Sequence, residues 1–121
     1  MAIQILSVSY DQALLLTRQL MLEGQGYQVV SALGFKEAER KCKDGGFQLM
    51  VLGHSIPFND KQALLEQFRE HSPAPVVSLL RTGEAFVDGA DYHVSPDDPR
   101  ALVREIVTIV PPNDGEQHGA A

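Results

Sequence analysis

The sequence predicts a doubly wound α/β fold, in which helices cover both faces of a five-stranded parallel sheet. Five short apolar runs alternate with segments of helical spacing, and the runs at 3–8, 47–52 and 76–80 are mostly apolar. Such runs are typical of strands that are buried on both faces, as in a parallel sheet. The alternation of strands with helices implies right-handed crossovers between neighbouring parallel strands.

The first half of the chain supplies two strand–helix units. Residues 3–8 form the first predicted strand, and residues 27–32, with the β-branched pair Val29-Val30, form the second. Helical spacing between them begins at Asp11 and ends at Gly24. The apolar stripe predicted for this helix consists of Ala13, Leu16, Leu20 and Met21. The second helix carries Cys42 on its apolar stripe, where we expect a small buried hydrophobe.

The second half repeats the pattern with a short fourth crossover. The strand at 47–52 leads through a polar loop to a helix at 61–71, and residues 76–80 form the fourth strand. Only eight residues separate Leu80 from Gly89. One or two turns of about 3.6 residues are the most that fit there. We therefore expect a shortened fourth helix.

The last elements close the domain. Residues 92–94 form a short fifth strand, and the following segment is a capped helix with Pro99 in its first turn that runs to Val110. The residues beyond are polar and contain glycine. The sequence thus predicts one domain over residues 1–110 and a flexible polar tail over residues 111–121.

Composition excludes several classes of function. Sixteen acidic against ten basic residues give a net charge of −6, which disfavours direct nucleic-acid binding. No segment approaches the ~20 apolar residues of a membrane span, so we expect a cytoplasmic protein with no membrane contact. Cys42 is the only cysteine, and the four histidines are scattered. No disulfide, structural metal or cofactor is expected.

Four segments carry a resemblance to a known family. They are LEGQGYQVV at 22–30, FQLMVL at 47–52, PVV at 75–77, and GADY at 89–92 followed by Ser95-Pro96. In their order and spacing they resemble the receiver domain of CheY-like response regulators, over nearly all of residues 3–110. The resemblance implies a flavodoxin-like fold with strand order 2-1-3-4-5 and a place in two-component signal transduction or a phosphorelay.

The positions of the family's phosphoryl chemistry hold other residues here. The resemblance places Ser9 and Tyr10 where receivers have the acid pair that binds Mg²⁺, and Gly53 where they have the phosphoacceptor aspartate. Leu80 replaces the hydroxyl residue that ends strand four, and Ser95 replaces the lysine before the strand-five proline. Hard cations require carboxylate oxygens, and glycine offers no nucleophile. We therefore expect an atypical pseudo-receiver without phosphorylation.

Neighbouring polar residues do not restore a reaction centre in the sequence. Asp11 and Asp60 are expected to cap the helices that follow them. His54 lies next to Gly53, but a lone loop histidine is usually solvated or packed. The serines near the strand ends, Ser9, Ser55 and Ser95, lack an evident histidine base and acidic orienter. No glycine-rich phosphate loop follows a strand, so no enzyme activity is predicted.

Partner surfaces then become the candidates for function. The resemblance implies contacts through the fourth crossover, the fifth strand and the last helix, and it places Tyr92 at the family's switch aromatic. Without a hydroxyl at Leu80 this switch has no evident input, so we expect a fixed state. On the last helix, Leu102, Ile106 and Ile109 are expected to cover the sheet. A second stripe of Val103, Val107 and Val110 either widens the core or forms an exposed patch with Tyr92.

Two hypotheses follow. The first is a phosphorylation-independent interaction module that contacts a signalling protein (a kinase, a regulator or an output protein), with a homodimer through the same face as one form of that contact. The second is a small-ligand-binding domain, because Gly53 and Ser95 leave room where an acid and a lysine would stand.

Overall fold

The computed structural model describes residues 2–112 and contains a five-stranded parallel sheet and four helices. The strands are β1 (Gln4–Ser9), β2 (Gln28–Leu33), β3 (Leu49–Leu52), β4 (Val76–Leu79) and β5 (Tyr92–Val94). The helices are α1 (Gln12–Glu23), α2 (Phe35–Asp44), α3 (Phe58–His71) and α4 (Pro99–Ile109). The strand order β2-β1-β3-β4-β5 confirms the predicted fold. Of the predicted tail at 111–121, residues 113–121 lie outside the described residues.

Two apolar cores lie on the two faces of the sheet. On one face α2 and α3 pack with Met50, Leu64 and Phe68, and on the other α1 and α4 pack with Leu22 and Ile106. All four residues of β3 are buried, because this central strand has helices on both sides. The doubly wound architecture thus follows from the apolar runs of the central strands.

The strand register brings the carboxyl ends of β1, β3 and β4 to one edge of the sheet. Val8 pairs with Leu52, and Leu52 pairs with Ser78. The residues that follow these strands therefore meet at the same edge, where parallel sheets usually bind ligands. Ser9 and Gly53 are neighbours there, since the Gly53 N–H donates a hydrogen bond of 2.9 Å to the carbonyl of Val8.

The fourth crossover contains turns where a shortened helix was expected. Between β4 and β5 the described chain has no helix, and Gly83 and Gly89 adopt φ angles of +90° and +92°. Val87 is buried and covers part of the sheet that a helix would otherwise cover. Phe86 is 66% exposed and stacks on His93, with the ring centroids 4.2 Å apart.

Helix α1 is rotated relative to the prediction. Its buried residues are Leu15, Arg18 and Leu22, whereas Leu16 and Leu20 are 54% and 60% exposed. The predicted stripe was therefore wrong for Ala13, Leu16 and Leu20, whereas Met21 is half-buried and packs against the core. Leucines at five of the twelve positions, distributed around the helix, allow more than one apolar face. Hydrogen bonds of Arg18 to the end of β1 accompany the observed rotation.

Candidate functional site

Hydroxyl groups join the loops that follow β1 and β3. The fully buried Ser9 accepts a hydrogen bond from the backbone N–H of Asp11 at 3.0 Å, and its Oγ lies 3.2 Å from Oγ of Ser55. Ser55 also accepts from the backbone N–H of Tyr10 at 3.0 Å. Asp11 caps α1 as predicted, accepting from the N–H of Leu14. The hydroxyls at this edge are therefore engaged in bonds within the protein.

Tyr10 and Asp60 form a second link across the same edge. The Tyr10 hydroxyl donates to Oδ2 of Asp60 at 2.8 Å. Burial, together with the hydrogen bond to Asp60 and its negative charge, raises the pKa of Tyr10 well above its usual range. The prediction that Asp60 caps α3 was wrong, because Pro57 occupies the cap position and no side chain caps this helix.

Gly53 is enclosed by the backbone of β1 and by Arg18. A Cβ atom on Gly53 would lie 3.0 Å from the carbonyl oxygen of Val8 and 3.1 Å from Nη2 of Arg18. These distances are shorter than ordinary contacts, so a side chain here would require Arg18 and the carbonyl of Val8 to shift by a few tenths of an ångström. The space beside Gly53 is consequently narrower than the sequence suggested, which corrects the basis of the ligand hypothesis at that point.

Arg18 is a buried cation without an acidic partner among residues 2–112. It is 7% exposed, and its Nη1 donates to Oγ of Ser7 at 3.0 Å and to the carbonyl of Val8 at 3.2 Å. Burial lowers the pKa of Arg18 to about 10. Sequence reasoning missed this residue, and its only signal was a cationic side chain inside the leucine-rich stretch of α1.

Lys61 places a second buried cation at the sheet edge, from the side of α3. It is 5% exposed, and its Nζ donates to Oγ of Ser78 at 3.0 Å and to the carbonyl of Leu79 at 2.6 Å. Burial lowers the pKa of Lys61, an effect that the charge of Glu84 partly offsets. This residue was also missed, because lysines are rarely buried.

The donor set does not fit a hard cation. Within residues 2–112 no group of three or more His, Cys, Asp or Glu side chains is arranged to hold a metal ion. Ser9 and Ser55 contribute hydroxyls at this edge, the carboxylate of Asp60 accepts from Tyr10, and the charged group in contact with Gly53 is the cation of Arg18. Mg²⁺ requires carboxylate or phosphate oxygens, so these residues do not suit it.

His54 and Ser95 have different surroundings. His54 is half-buried, and its Nδ1 is buried without a hydrogen-bond partner among the described residues. Its pKa is lowered by burial and by the nearby positive charges of Arg81 and Arg18. Ser95 is exposed, and its Oγ accepts from the N–H of Asp97 at 3.2 Å.

The five pocket residues proposed from the sequence do not form one cluster. Ser9, Tyr10 and Gly53 lie together at the ends of β1 and β3. Leu80 is buried, and with Ser95 it lines a separate shallow depression beside the fourth crossover. No hydrogen bond in the described structure joins the side chains of the two groups.

The proposed partner surface is only partly exposed. Tyr92 is 38% exposed, whereas Val103 is 9% exposed and belongs to the core with Leu102 and Ile106. Val107 and Val110 are half-buried against the same core. For Val103 the assignment to an exposed patch was therefore wrong, because α4 packs this residue onto the sheet.

Phe86, which the sequence did not single out, is an exposed aromatic residue beside β5. Tyr92 pairs with Val77 and His93 pairs with Ser78, so the two side chains point to opposite faces of the sheet. Phe86 stacks on His93. The edge strand therefore presents aromatic side chains on both faces.

Comparisons with known proteins place this fold in a signalling context. No family model matches the chain. The transcriptional regulatory protein ResD of Bacillus subtilis is 27% identical over a region that covers 76% of this chain and 41% of that protein. The chain therefore spans less than half the length of this curated relative.

Solved structures of receiver domains match most of the chain, and two of them illustrate the likeness. A CheY-like response regulator receiver domain from Methanospirillum hungatei is 26% identical with a TM-score of 0.76, over 89% of this chain and 93% of that one. The receiver domain of a sensor histidine kinase from Pseudomonas aeruginosa, with magnesium coordinated in its active-site cleft, has a TM-score of 0.76 at 16% identity. It covers 90% of this chain and 98% of its own, and at this identity it shows the fold alone.

The described residues thus have the fold of a CheY-like response regulator receiver domain, and the likeness to the Methanospirillum hungatei receiver domain and to ResD supports a role in two-component signalling. A search of the described helices finds none with the length and apolar character needed to cross a membrane.

Proposed function

We propose that this chain is a pseudo-receiver, a phosphorylation-independent signalling module that acts through protein contacts. The observation that carries the proposal is the guanidinium of Arg18 against Gly53, at the position where the receiver family has its phosphoacceptor aspartate. This position has no nucleophile, and a buried cation lies in close contact with the place where an acceptor side chain would begin.

The acid pair of the family has no functional replacement at the same edge. Ser9 and Ser55 are bonded to each other and to backbone groups. The carboxylate of Asp60 accepts the hydroxyl of Tyr10, and Asp11 caps α1. Each candidate side chain therefore already has a bond within the protein, which argues against a metal-assisted phosphoryl transfer.

The end of β4 supports a single fixed arrangement. Leu80 is buried and carries no hydroxyl that could contact a phosphoryl group. The ammonium of Lys61 is bound to the carbonyl of Leu79 and to Ser78. A phosphorylation switch needs two arrangements of this region that a phosphoryl group distinguishes, and in the observed arrangement the ammonium of Lys61 is already bonded to protein oxygens while Leu80 offers no hydroxyl.

We place the contact with a signalling partner at the edge strand β5 and the helix-free fourth crossover. Phe86 and Tyr92 are 66% and 38% exposed, and His93 is exposed beside Phe86. Aromatic side chains are enriched at the energetic centres of protein interfaces. A kinase, a regulator, an output protein or a second copy of the chain is the class of partner that this face would bind.

The proposal is tested by exposing the purified protein to acetyl phosphate and Mg²⁺ and measuring its intact mass, with a receiver that retains its acid pair and acceptor aspartate as the positive control. Amide NMR spectra with Mg²⁺ and beryllofluoride provide the second readout. We expect no mass gain and no shifts around Gly53. A phosphoryl adduct, at His54 for instance, would show that the chain retains a phosphoryl input and would refute the proposal.

A further inference from the structure

A cavity between α1 and α4 lies next to the Arg18 guanidinium. Its volume is about 60 Å³, and its mouth opens to solvent, so the body of a ligand larger than this would lie partly in the mouth. The walls are mainly apolar side chains of α1, β4 and α4, among them Leu14, Met21, Leu79, Leu102 and Val103. The polar groups that line it with these are Arg18, His54 and Thr17.

Arg18 has hydrogen-bond donors that the protein does not use. Both bonds in the described structure come from Nη1, to Ser7 and to Val8. Its Nε and Nη2 donate to no group among residues 2–112, and no carboxylate there forms an ion pair with it. A buried cation without a counter-ion is costly, so an anion that reaches this guanidinium would be bound favourably.

His54 also lines this cavity. Its Nδ1 is buried and has no hydrogen-bond partner in the described part of the chain. Because that atom is shielded from the open cavity, the ring would have to turn before Nδ1 could reach a molecule bound there. A protonated ring turned in this way would donate from Nδ1 to an anion, adding to the donors of Arg18.

The chemistry of the walls selects the class of anion. A guanidinium has the planar fork that matches the two oxygens of a carboxylate. The apolar side chains around it favour an anion that carries a hydrophobic body and has few further polar groups. A phosphate ester, with more charge and more oxygens to satisfy, matches this lining less well.

We propose that the cavity between α1 and α4 binds a small organic monocarboxylate, with its carboxylate on Arg18 and its apolar body along Leu14, Met21 and Leu102. The guanidinium also contacts the end of β1 and encloses Gly53. A carboxylate at this point therefore acts at the position where the receiver family receives its phosphoryl group, and it would provide the module with a chemical input. This inference is independent of whether the chain is phosphorylated.

The test is an amide and guanidinium NMR titration of the full chain with sodium hexanoate and sodium benzoate, at constant ionic strength. Hexanol and sodium chloride serve as probes that retain only the apolar body or only a negative charge. We expect saturable shifts of the Arg18 Nε–H signal and of His54 with a Kd of about 1 mM, as is usual for ligands of this size. Binding should also raise the pKa of His54.

Variants separate this site from general binding to apolar surface. Arg18→Met keeps the side-chain length without the charge and should weaken hexanoate binding by about tenfold, the effect of losing a charge-assisted hydrogen bond. Leu14→Asp places a negative charge at the cavity wall and should weaken hexanoate binding several-fold. Leu16→Asp, on the same helix but away from the cavity, is the matched control and should bind as the wild type does.

Three outcomes would overturn the inference. They are the absence of saturable shifts at about 20 mM hexanoate, far above the expected Kd; equal shifts with hexanol; and an Arg18→Met affinity within about twofold of the wild type. If Arg18→Met is poorly folded, the comparison of Leu14→Asp with Leu16→Asp decides the question alone. Phosphoryl transfer is measured separately, so a negative result here leaves the proposed pseudo-receiver function intact.

Discussion

The Nη2 atom of Arg18 lies 3.1 Å from the point where a Cβ atom on Gly53 would stand. The two residues are therefore structurally coupled, because the absence of a side chain at one makes room for the guanidinium of the other. In a receiver with an aspartate at this position, an arginine rotamer of this kind would collide with the acceptor or pair with it. The loss of the acceptor and the inward orientation of Arg18 are parts of one local structure.

Gly53→Ala should lower the free energy of unfolding by about 1–2 kcal/mol. The added methyl group meets Val8 O and Arg18 Nη2 at close range, and overpacking of this kind typically carries such a cost. Urea denaturation followed by circular dichroism measures it. The control is Gly24→Ala, at the end of α1, where the φ angle is −63° and the new Cβ comes no closer than 3.4 Å to the backbone atoms around it. Equal effects of the two substitutions would contradict the close packing at Gly53.

Arg18→Met should leave stability unchanged or raise it by about 1 kcal/mol. An unpaired buried charge is removed, and this gain offsets the loss of the bonds that Arg18 donates to Ser7 and to the carbonyl of Val8. Arg69→Met is the matched control. Arg69 bonds to Asp91 at 2.7 Å and to the carbonyls of Ala74 and Gly89, so its loss should cost about 1 kcal/mol. Denaturation in urea at pH 7 compares the two variants. A large loss of stability in Arg18→Met alone would assign that cation a structural role.

The Tyr10–Asp60 bond predicts a loss of stability at high pH. The pKa of Tyr10 is raised in the folded state, so the native protein retains this proton longer than the unfolded chain does. Its contribution is fully present below the unfolded pKa of about 10 and is lost as the pH rises through the folded pKa. The difference in unfolding free energy between the wild type and Tyr10→Phe should therefore begin to shrink at about pH 10 and continue to shrink as the pH rises further.

Selective ¹³C labelling of tyrosine gives the direct readout for this residue. Asp60→Asn removes the negative charge and should lower the pKa of Tyr10 toward its usual range, while burial maintains part of the shift. An unchanged Tyr10 titration in Asp60→Asn would show that the carboxylate does not act on the phenol.

The fold was accessible from the sequence because the strands of a doubly wound sheet are continuous apolar runs. The run at 49–52 lies at the centre of the sheet with both faces covered, so its pattern does not depend on contacts elsewhere in the chain. The substitution of Gly53 for an acid was likewise visible, since it follows that run directly.

The surroundings of the site were less accessible, because they depend on the rotation of helices. Leucines on several faces of α1 left its orientation undetermined, and hydrogen bonds at the end of β1 accompany the buried position of Arg18. The buried ammonium of Lys61 donates a hydrogen bond to the carbonyl of Leu79, which is distant in sequence. No local pattern encodes such long-range bonds, so both cations were missed. The sequence therefore predicted room for a ligand beside Gly53, whereas the cavity in the structure lies between α1 and α4.

Stability measurements distinguish the core side of α4 from the exposed edge of the sheet. Val103 is 9% exposed within the α1–α4 core, and Val103→Ala should cost about 1–2 kcal/mol through the lost apolar contacts. Phe86 is 66% exposed, and Phe86→Ala should change stability by less than about 0.5 kcal/mol. Phe86→Ala should instead alter association, which sedimentation velocity detects if the partner is a second copy. A large destabilisation by Phe86→Ala would mean that the Phe86–His93 stack stabilises the helix-free crossover. Phe86 would then be a structural residue, which would contradict its proposed role in binding a partner.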